Sequence, residues 1–274
     1  MTTHTSRRTP MHKGPAAWSA ILPGQSAPVS LPGDQTVDVA IIGGGFAGLA
    51  AAHRLRQIDP AMQVAVLDAS RLAEGASGRN SGFMIDLPHE LTSDDYAGHG
   101  DERSVIARNR QAIAFARGVV EDYGINPAYF DPAGKVNGAA SAKADRLNRS
   151  YADHLTSLGE PNQRLDAQGM YELTGSRHYL SGLYTPGTVM LQPAGFMRGF
   201  GEGLRASGVA VWEGTPVTAI ARQGNGWRVT TPHGRVTAGK VILANNGHIE
   251  SFGFAVNRLM HVFLYASMTV DLPA

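Results

Sequence analysis

A glycine-rich turn between two predicted strands restricts the fold of this chain more than any other feature. VDVAII at 37–42 is a short β-branched run, GGGFAG follows at 43–48, and QVAVLD at 63–68 is a second apolar run. Between the runs, apolar residues recur at helical spacing until Asp59-Pro60, which predicts a helix that ends there. Strand, helix and strand in this order form a βαβ unit with buried parallel strands. The sequence therefore predicts an α/β fold with a Rossmann-like sheet.

The spacing of the glycines in this turn predicts nucleotide binding. The glycines that fit the pattern GxGxxG are Gly43, Gly45 and Gly48. In such a turn the first glycine forms the bend, the second lets a pyrophosphate approach the backbone, and the third lets helix and strand pack closely. The helix begins with Phe46 and Ala47, and its N-terminus offers free N–H groups and a positive dipole end to phosphates. A turn that serves packing alone is the alternative interpretation.

An acidic residue and a polar loop narrow the choice of nucleotide. Asp68 ends the second strand 20 residues after Gly48, where an acceptor for ribose hydroxyls is expected, and its carboxylate would repel a 2′-phosphate. NAD and FAD remain. An NAD domain would continue with further strands and crossover helices, whereas this chain continues with the loop EGASGRNSGF at 74–83. Its glycines permit close backbone approach and its polar side chains supply hydrogen bonds, although a flexible surface loop is the alternative.

Five segments together resemble a known family, and this resemblance favours FAD. The segments are VDVAIIGGGFAGLAAAHRL, VLDAS, GASGRNSG, PVTAI and VILANNG. They are similar to the FAD-dependent amine and amino-acid oxidoreductases of the D-amino acid oxidase type, in the branch of the gamma-glutamylputrescine oxidoreductases, glycine oxidases and sarcosine oxidases. The resemblance runs from about Leu31 to the end of the chain. It implies a Rossmann-like FAD-binding domain of the GR2 type with an inserted α+β substrate domain.

The resemblance also implies FAD-binding roles for residues in three places. The loop that would wrap the pyrophosphate and the flavin end consists of Ala76, Ser77, Gly78, Arg79, Asn80, Ser81 and Gly82. Val217 would meet the adenine through its backbone, although without the family it is simply an apolar strand residue. Ala244, Asn245 and Gly247 would lie near the pyrophosphate and ribose. Because the segment 75–82 contains no cysteine or histidine, we expect noncovalent FAD.

Composition and periodicity divide the chain into segments. Residues 1–36 lack periodicity and are rich in proline and glycine, which predicts an irregular lead-in that Trp18 helps to hold in place. Amphipathic helices closed by Gly124 and Gly159 follow in the middle of the chain. Towards the end, RVTAG and KVILA are expected as separate strands. The predicted domains are the lead-in at 1–36, an FAD-binding domain at 37–88 and 187–250, and an incomplete substrate domain at 89–186 and 251–274.

Composition argues against several classes of partner and cofactor. Lys and Arg total 24 against 23 Asp and Glu, without a long run of one sign, so neither nucleic acid nor an anionic membrane is favoured. The absence of cysteine excludes disulfides, thiolate metal sites and cysteine nucleophiles. The apolar run VAIIGGGFAGLAAA is too short for a bilayer span, and Arg7-Arg8 lacks a following apolar segment, so we expect a cytoplasmic protein. Without a second complete GxGxxG or paired histidine spacing, neither NAD(P)H nor a metal is expected.

No single residue stands out as the catalyst. The candidates for substrate contact or acid–base chemistry are His248, Arg258, His261 and Tyr265, with His89, His178, Tyr179 and Tyr184 further from any motif. A lone histidine or tyrosine is more often structural, and geometry must decide. The flavin itself would carry the redox step, so groups that orient the substrate would be sufficient.

The resemblance implies oxidation of a C–N bond in a small amine or amino acid, with hydride transfer to flavin N5 and hydrolysis of the imine. Two alternatives remain: a flavin dehydrogenase acting on a hydroxy acid, and an assembly subunit that binds FAD but needs another chain. The segment YASMTVDLPA resembles the strand near the centre of the family's substrate sheet. We therefore expect an incomplete substrate domain, either because the chain is a fragment or because a partner chain completes it.

Overall fold

The computed structural model describes residues 2–12, 14–25, 27–88, 101–262, 264, 265, 267 and 269. The chain packs as two compact units. The first contains Met1–Ser81, Asp122–Asn126 and Gln192–Ala274, and the second contains Gly82–Glu121 and Pro127–Leu191. The assignment of FAD and substrate roles to separate domains stays a prediction. The candidate His89 and the ends of the predicted substrate domain at 89–100 and 270–274 lie outside the described residues.

The first unit is built on a mixed sheet of seven strands, so the α/β prediction is confirmed. Its strands are β1 (Thr3–Thr5), β2 (Gln35–Ile42), β3 (Val64–Leu67), β10 (Ala210–Trp212), β11 (Ala219–Gln223), β12 (Gly226–Thr231) and β13 (Gly234–Leu243). The strand order is β1-β11-β12-β13-β2-β3-β10. Neighbours from β13 to β10 are parallel, whereas β1, β11 and β12 are antiparallel to their neighbours. The helices are α1 (Ala17–Ala20), α2 (Phe46–Ile58) and α6 (Pro193–Ala206).

The predicted βαβ unit forms as expected. β2 and β3 pair in parallel with Ile41 opposite Val66, and both side chains are fully buried. Helix α2 connects the strands and buries Leu49 and Ala52. Continuous apolar runs of this kind are typical of parallel strands that are covered on both faces.

One strand differs from the prediction. RVTAG and KVILA belong to a single strand, β13: residues 234–238 pair with β12, and β2 pairs with β13 from Val236 to Leu243. Gly239 lies at the one position where the ladder between β13 and β2 is interrupted, so the glycine marks an irregularity in the pairing and not a strand end.

The second unit combines helices with two small antiparallel sheets. The strands are β4 (Phe83–Met84), β5 (Phe130–Asp131), β6 (Lys135–Ala139), β7 (Gln163–Asp166), β8 (Ser181–Thr185) and β9 (Val189–Leu191), ordered β4-β9-β5 and β6-β8-β7. The helices are α3 (Glu102–Asp122), whose last residue belongs to the first unit, α4 (Ala142–Leu158) and α5 (Ala167–Thr174). The core includes Tyr151, whose hydroxyl donates to the Pro88 carbonyl at 2.7 Å.

The two helix ends predicted from glycines are confirmed. Gly159 directly follows α4 with φ of 78°. Gly124 lies two residues beyond α3 with φ of 59°. Left-handed glycines of this kind commonly terminate helices. Among the described residues, no helix is long and apolar enough to cross a membrane.

Candidate functional site

The turn between β2 and α2 requires glycine at two positions. Gly43 has φ of 109°, and a Cβ there would lie 2.6 Å from the Ala244 carbonyl oxygen. A Cβ on Gly48 would lie only 1.8 Å from the Gly43 carbonyl oxygen and 3.4 Å from Ile41. The first glycine therefore permits the bend, and the last lets α2 pack directly onto the turn.

The N-terminus of α2 is open to an anion. Gly45 caps the helix without a side-chain hydrogen bond, and the first turn carries no acidic residue. The N–H of Phe46 donates to the hydroxyl of Ser77 at 3.0 Å. The first N–H groups of a helix have no acceptor within the helix, so this terminus offers donors and a positive dipole end. The structure thus brings the polar loop, through Ser77, directly to the glycine turn.

Asp68 lies immediately after β3 and faces the same turn. Its Oδ2 accepts from the Gly44 N–H at 2.7 Å, and its Oδ1 accepts from the Ser70 N–H at 2.8 Å. Burial raises the pKa of this carboxyl above its usual value, while the two backbone N–H groups lower it in part and nearby Glu213 raises it further. Each oxygen keeps a second lone pair, which can accept a hydroxyl hydrogen.

The carboxyl end of β13 contributes an acceptor to the site. The Ala244 N–H donates to the Ile42 carbonyl at 2.8 Å, which extends the ladder to the start of the glycine turn. Asn245 follows, and its buried Oδ1 has no hydrogen-bond partner among the described residues. A buried acceptor without a donor costs about 1–3 kcal/mol, so this oxygen is suited to a hydroxyl from a ligand. We call the Gly43–Phe46 turn, Asp68, Ser77 and Asn245 the nucleotide cradle.

Other residues of the predicted loop stabilise the loop itself. Ala76 and Ser77 begin a short 3₁₀ turn, Ala76–Gly78. Arg79 donates to the Glu74 carbonyl at 2.6 Å and to the Gly14 carbonyl at 2.7 Å. Asn80 donates to the Ser77 carbonyl at 2.8 Å. These polar side chains therefore fix the loop conformation by binding backbone carbonyls.

The last residues of the predicted loop stand apart from the cradle. Ser81 is exposed and ends its section of the first unit. Gly82 begins the second unit with φ of 87°, and its carbonyl accepts from the Leu191 N–H at 2.8 Å.

Two further residues were predicted to contact FAD. Val217 is buried in the apolar cluster that includes Trp212 and Phe252. Gly247 lies in the 3₁₀ segment Asn246–Phe252, with the ring of His261 against it.

Two of the candidate histidines are close to the end of β13. The N–H of His248 donates to the Asn245 carbonyl at 3.1 Å. Partial desolvation lowers the pKa of His248, and the charges of Arg8, His12 and His261 lower it further. His261 lies 2.9 Å from a carboxylate oxygen of Glu250.

The remaining candidates have other environments. Arg258 and Tyr265 are exposed, Tyr265 at 94% of its surface, and neither has a described contact with the cradle. In the second unit, Tyr184 donates to the Ala133 carbonyl at 3.3 Å, and the ring of Tyr179 packs against Gly138 and His178. No group of three or more potential metal ligands occurs in the described part of the chain.

Sequence reasoning missed one residue that lies close to the cradle. A ring nitrogen of His12 lies 2.9 Å from the hydroxyl of Ser70, two residues after Asp68. The lead-in has no periodicity that could have indicated this contact. Trp18, a large aromatic residue in an otherwise irregular segment, was the one sequence signal that the lead-in packs against the rest of the first unit. Its indole N–H donates to the Asn80 carbonyl at 2.8 Å.

This chain has a glycine turn at the carboxyl ends of parallel strands and an acidic residue after the second strand. These two features define the class of dinucleotide-binding α/β proteins. The chain belongs to the FAD dependent oxidoreductase (DAO) family, whose model matches residues 38–273. This finding confirms the resemblance and identifies FAD as the cofactor of the family.

Individual relatives agree with this family. The chain is 28% identical over 254 residues to a probable oxidoreductase, OrdL, of Rhizobium meliloti, covering 88% of this chain and 56% of the relative. It is 27% identical over 218 residues to the gamma-glutamylputrescine oxidoreductase of Escherichia coli, covering 78% of this chain and 50% of the relative. The chain thus spans about half the length of these curated relatives.

A solved structure supports the fold. The glycine oxidase of Geobacillus kaustophilus superposes with a TM-score of 0.67 at 21% identity, covering 81% of this chain and 58% of that protein. At this identity the likeness concerns the fold alone.

Proposed function

We propose that this chain forms the FAD-binding part of an oxidoreductase that oxidises a C–N bond in a small amine or amino acid. The observation that carries the proposal is the nucleotide cradle, where helix donors, a carboxylate and an unpartnered amide oxygen surround one glycine turn. Membership of the FAD dependent oxidoreductase family supports FAD as the cofactor. The names of the relatives, a gamma-glutamylputrescine oxidoreductase and a glycine oxidase, support an amine or amino acid as the substrate.

The residues of the cradle fit a dinucleotide by their chemistry. The backbone N–H groups at the start of α2 would bind the pyrophosphate, which can approach because Gly43 and Gly45 lack side chains. Asp68 would accept from the ribose of the adenosine, and Asn245 Oδ1 would accept from a further hydroxyl. Bound FAD would supply the redox chemistry by accepting a hydride from the carbon next to the substrate nitrogen. We expect the protein to hold the cofactor without a covalent bond, because the loop from Gly75 to Gly82 contains neither cysteine nor histidine.

A spectrum followed by a substrate screen tests this proposal. The purified chain, incubated with FAD and desalted, should retain a flavin absorbance spectrum, and acid precipitation should release all of the flavin into the supernatant. Anaerobic addition of gamma-glutamylputrescine, glycine or sarcosine should bleach the bound flavin. NAD in large excess should not displace FAD.

Each outcome of this test separates the alternatives. Protein that cannot retain FAD would contradict the cofactor assignment. Bleaching by hydroxy acids but not by amines would support a hydroxy-acid dehydrogenase instead. Flavin that stays bound after acid precipitation would contradict noncovalent binding.

A further inference from the structure

The N-terminal lead-in crosses the sheet of the first unit from one edge to the other. At one edge, β1 pairs antiparallel with β11. Beyond the opposite edge strand, β10, the Glu213 N–H donates to the Val29 carbonyl at 2.8 Å. The matched family model begins only at residue 38, so this crossing is a feature of the chain outside that match. We call residues 6–12 and 14–25 the strap.

Between the two edges, the strap contacts segments that border the cradle. The Arg7 N–H donates to the Ser251 carbonyl at 3.0 Å, in the segment after β13. His12 then reaches Ser70, whose own N–H donates to the Asp68 carboxylate. The strap therefore passes the residues that follow β13 and β3, and dinucleotides bind outside the carboxyl ends of such strands.

The strap continues across the polar loop. Gly14 accepts from Arg79 at 2.7 Å, and the Trp18 indole donates to the Asn80 carbonyl at 2.8 Å. Asn80 in turn donates to the carbonyl of Ser77, the residue whose hydroxyl meets the start of α2. The loop that forms one wall of the cradle is thus held by two hydrogen bonds to the strap.

Charge near the strap also suits an anionic ligand. Arg8 and His12 act electrostatically on His248, which follows Asn245 closely along the chain. Their charges lower the pKa of His248, and a bound diphosphate near these groups would offset that repulsion.

We propose that the strap is part of the FAD site: it closes over the bound dinucleotide and determines how fast FAD leaves. Opening requires the short helix α1 and the chain on either side of it to lose a small number of hydrogen bonds and the burial of Ala16, whereas opening the seven-stranded sheet would break its strand ladders. The inference rests on the proposed FAD site and adds the lead-in to it.

The test measures FAD release from the full chain. Trp18→Phe removes the indole N–H but keeps an aromatic ring, and His12→Ala removes the contact with Ser70. Trp227→Phe is the matched control, because Trp227 lies on β12 and contacts Arg222. FAD release after dilution is followed by the rise in flavin fluorescence, FAD affinity is obtained by titration, and thermal unfolding of each apoprotein checks folding.

We expect each strap variant to release FAD about 2- to 10-fold faster, the range that one net hydrogen bond supports, and the double variant to exceed either single one. Trp227→Phe should release FAD at the wild-type rate. Unchanged release in both strap variants, with FAD still bound and the apoprotein folded, would overturn the inference. Tighter FAD binding in Trp18→Phe would also overturn it, because the strap would then compete with the cofactor. Failure of the wild-type chain to bind FAD would instead contradict the proposed function on which the inference rests.

Discussion

Replacing Gly48 by alanine tests whether α2 must pack directly onto the glycine turn. The new Cβ would lie 1.8 Å from the Gly43 carbonyl oxygen, a backbone atom that no rotamer change can move away. Overpacking of this kind costs about 3 kcal/mol at the upper end of its usual range. Alanine regains about 1 kcal/mol of helix propensity over glycine, so the net loss should be about 2 kcal/mol. Because the start of α2 must shift, FAD binding should weaken as well.

Gly118→Ala provides the matched control for this substitution. Gly118 lies inside α3, and a Cβ there would meet nothing within 4 Å. We expect this variant to be more stable by about 0.5–1 kcal/mol, since only the propensity gain applies. Urea and thermal unfolding followed by circular dichroism, with FAD titration, compare the two variants. If Gly48→Ala proves as stable as Gly118→Ala and binds FAD normally, the close-packing argument for the third glycine is wrong.

Three further substitutions address single contacts. Asn245→Leu removes a buried acceptor without a partner, so the apoprotein should unfold at the same or a higher temperature while FAD affinity falls about 5-fold or more; a loss of apoprotein stability would contradict the role given to Oδ1. Ser77→Ala removes the acceptor for the Phe46 N–H, and FAD affinity should fall about 2- to 10-fold; an unchanged titration would argue against a link between loop and helix. Lys135→Met replaces a buried ammonium group that has no hydrogen-bond partner among the described residues. Burial lowers the pKa of Lys135, and nearby Asp86 raises it only in part. A lowered pKa means that the unfolded chain binds the proton more tightly than the folded chain does. The loss of folding stability caused by the buried ammonium is therefore complete below the folded-state pKa, and it disappears as the pH rises towards 10.5. The gain from Lys135→Met, about 1 kcal/mol at neutral pH, should therefore shrink in alkaline solution; a gain that grows with pH would refute this reasoning.

The sequence was informative where short-range rules govern structure. Alternating turn, helix and strand signals predicted the βαβ unit, and the position of Asp68 beside the turn followed from the parallel pairing of β2 and β3. Gly159 predicted a helix end because a left-handed residue there depends on local backbone geometry.

Contacts between residues far apart in the chain were beyond such rules. His12 meets Ser70 and Trp18 meets Asn80 across long separations, in a segment with no periodic pattern. Arg79 was predicted as a ligand-binding side chain, yet it donates to the carbonyl of Glu74 in its own loop and to that of Gly14 in the lead-in, because backbone carbonyls also need donors. A further contact between Arg79 and bound FAD stays a prediction.

The short strand β1 has a consequence for handling the protein. It pairs with β11, which would otherwise be an edge of the seven-stranded sheet. An unpaired edge strand offers a row of free N–H and C=O groups that can template association with a second molecule. A tag fused next to Thr3, or a start site downstream of Thr5, would interfere with this cover and favour aggregation. With β1 in place, the sheet ends in a three-residue strand in place of the five-residue β11, and a shorter edge offers a smaller template for association.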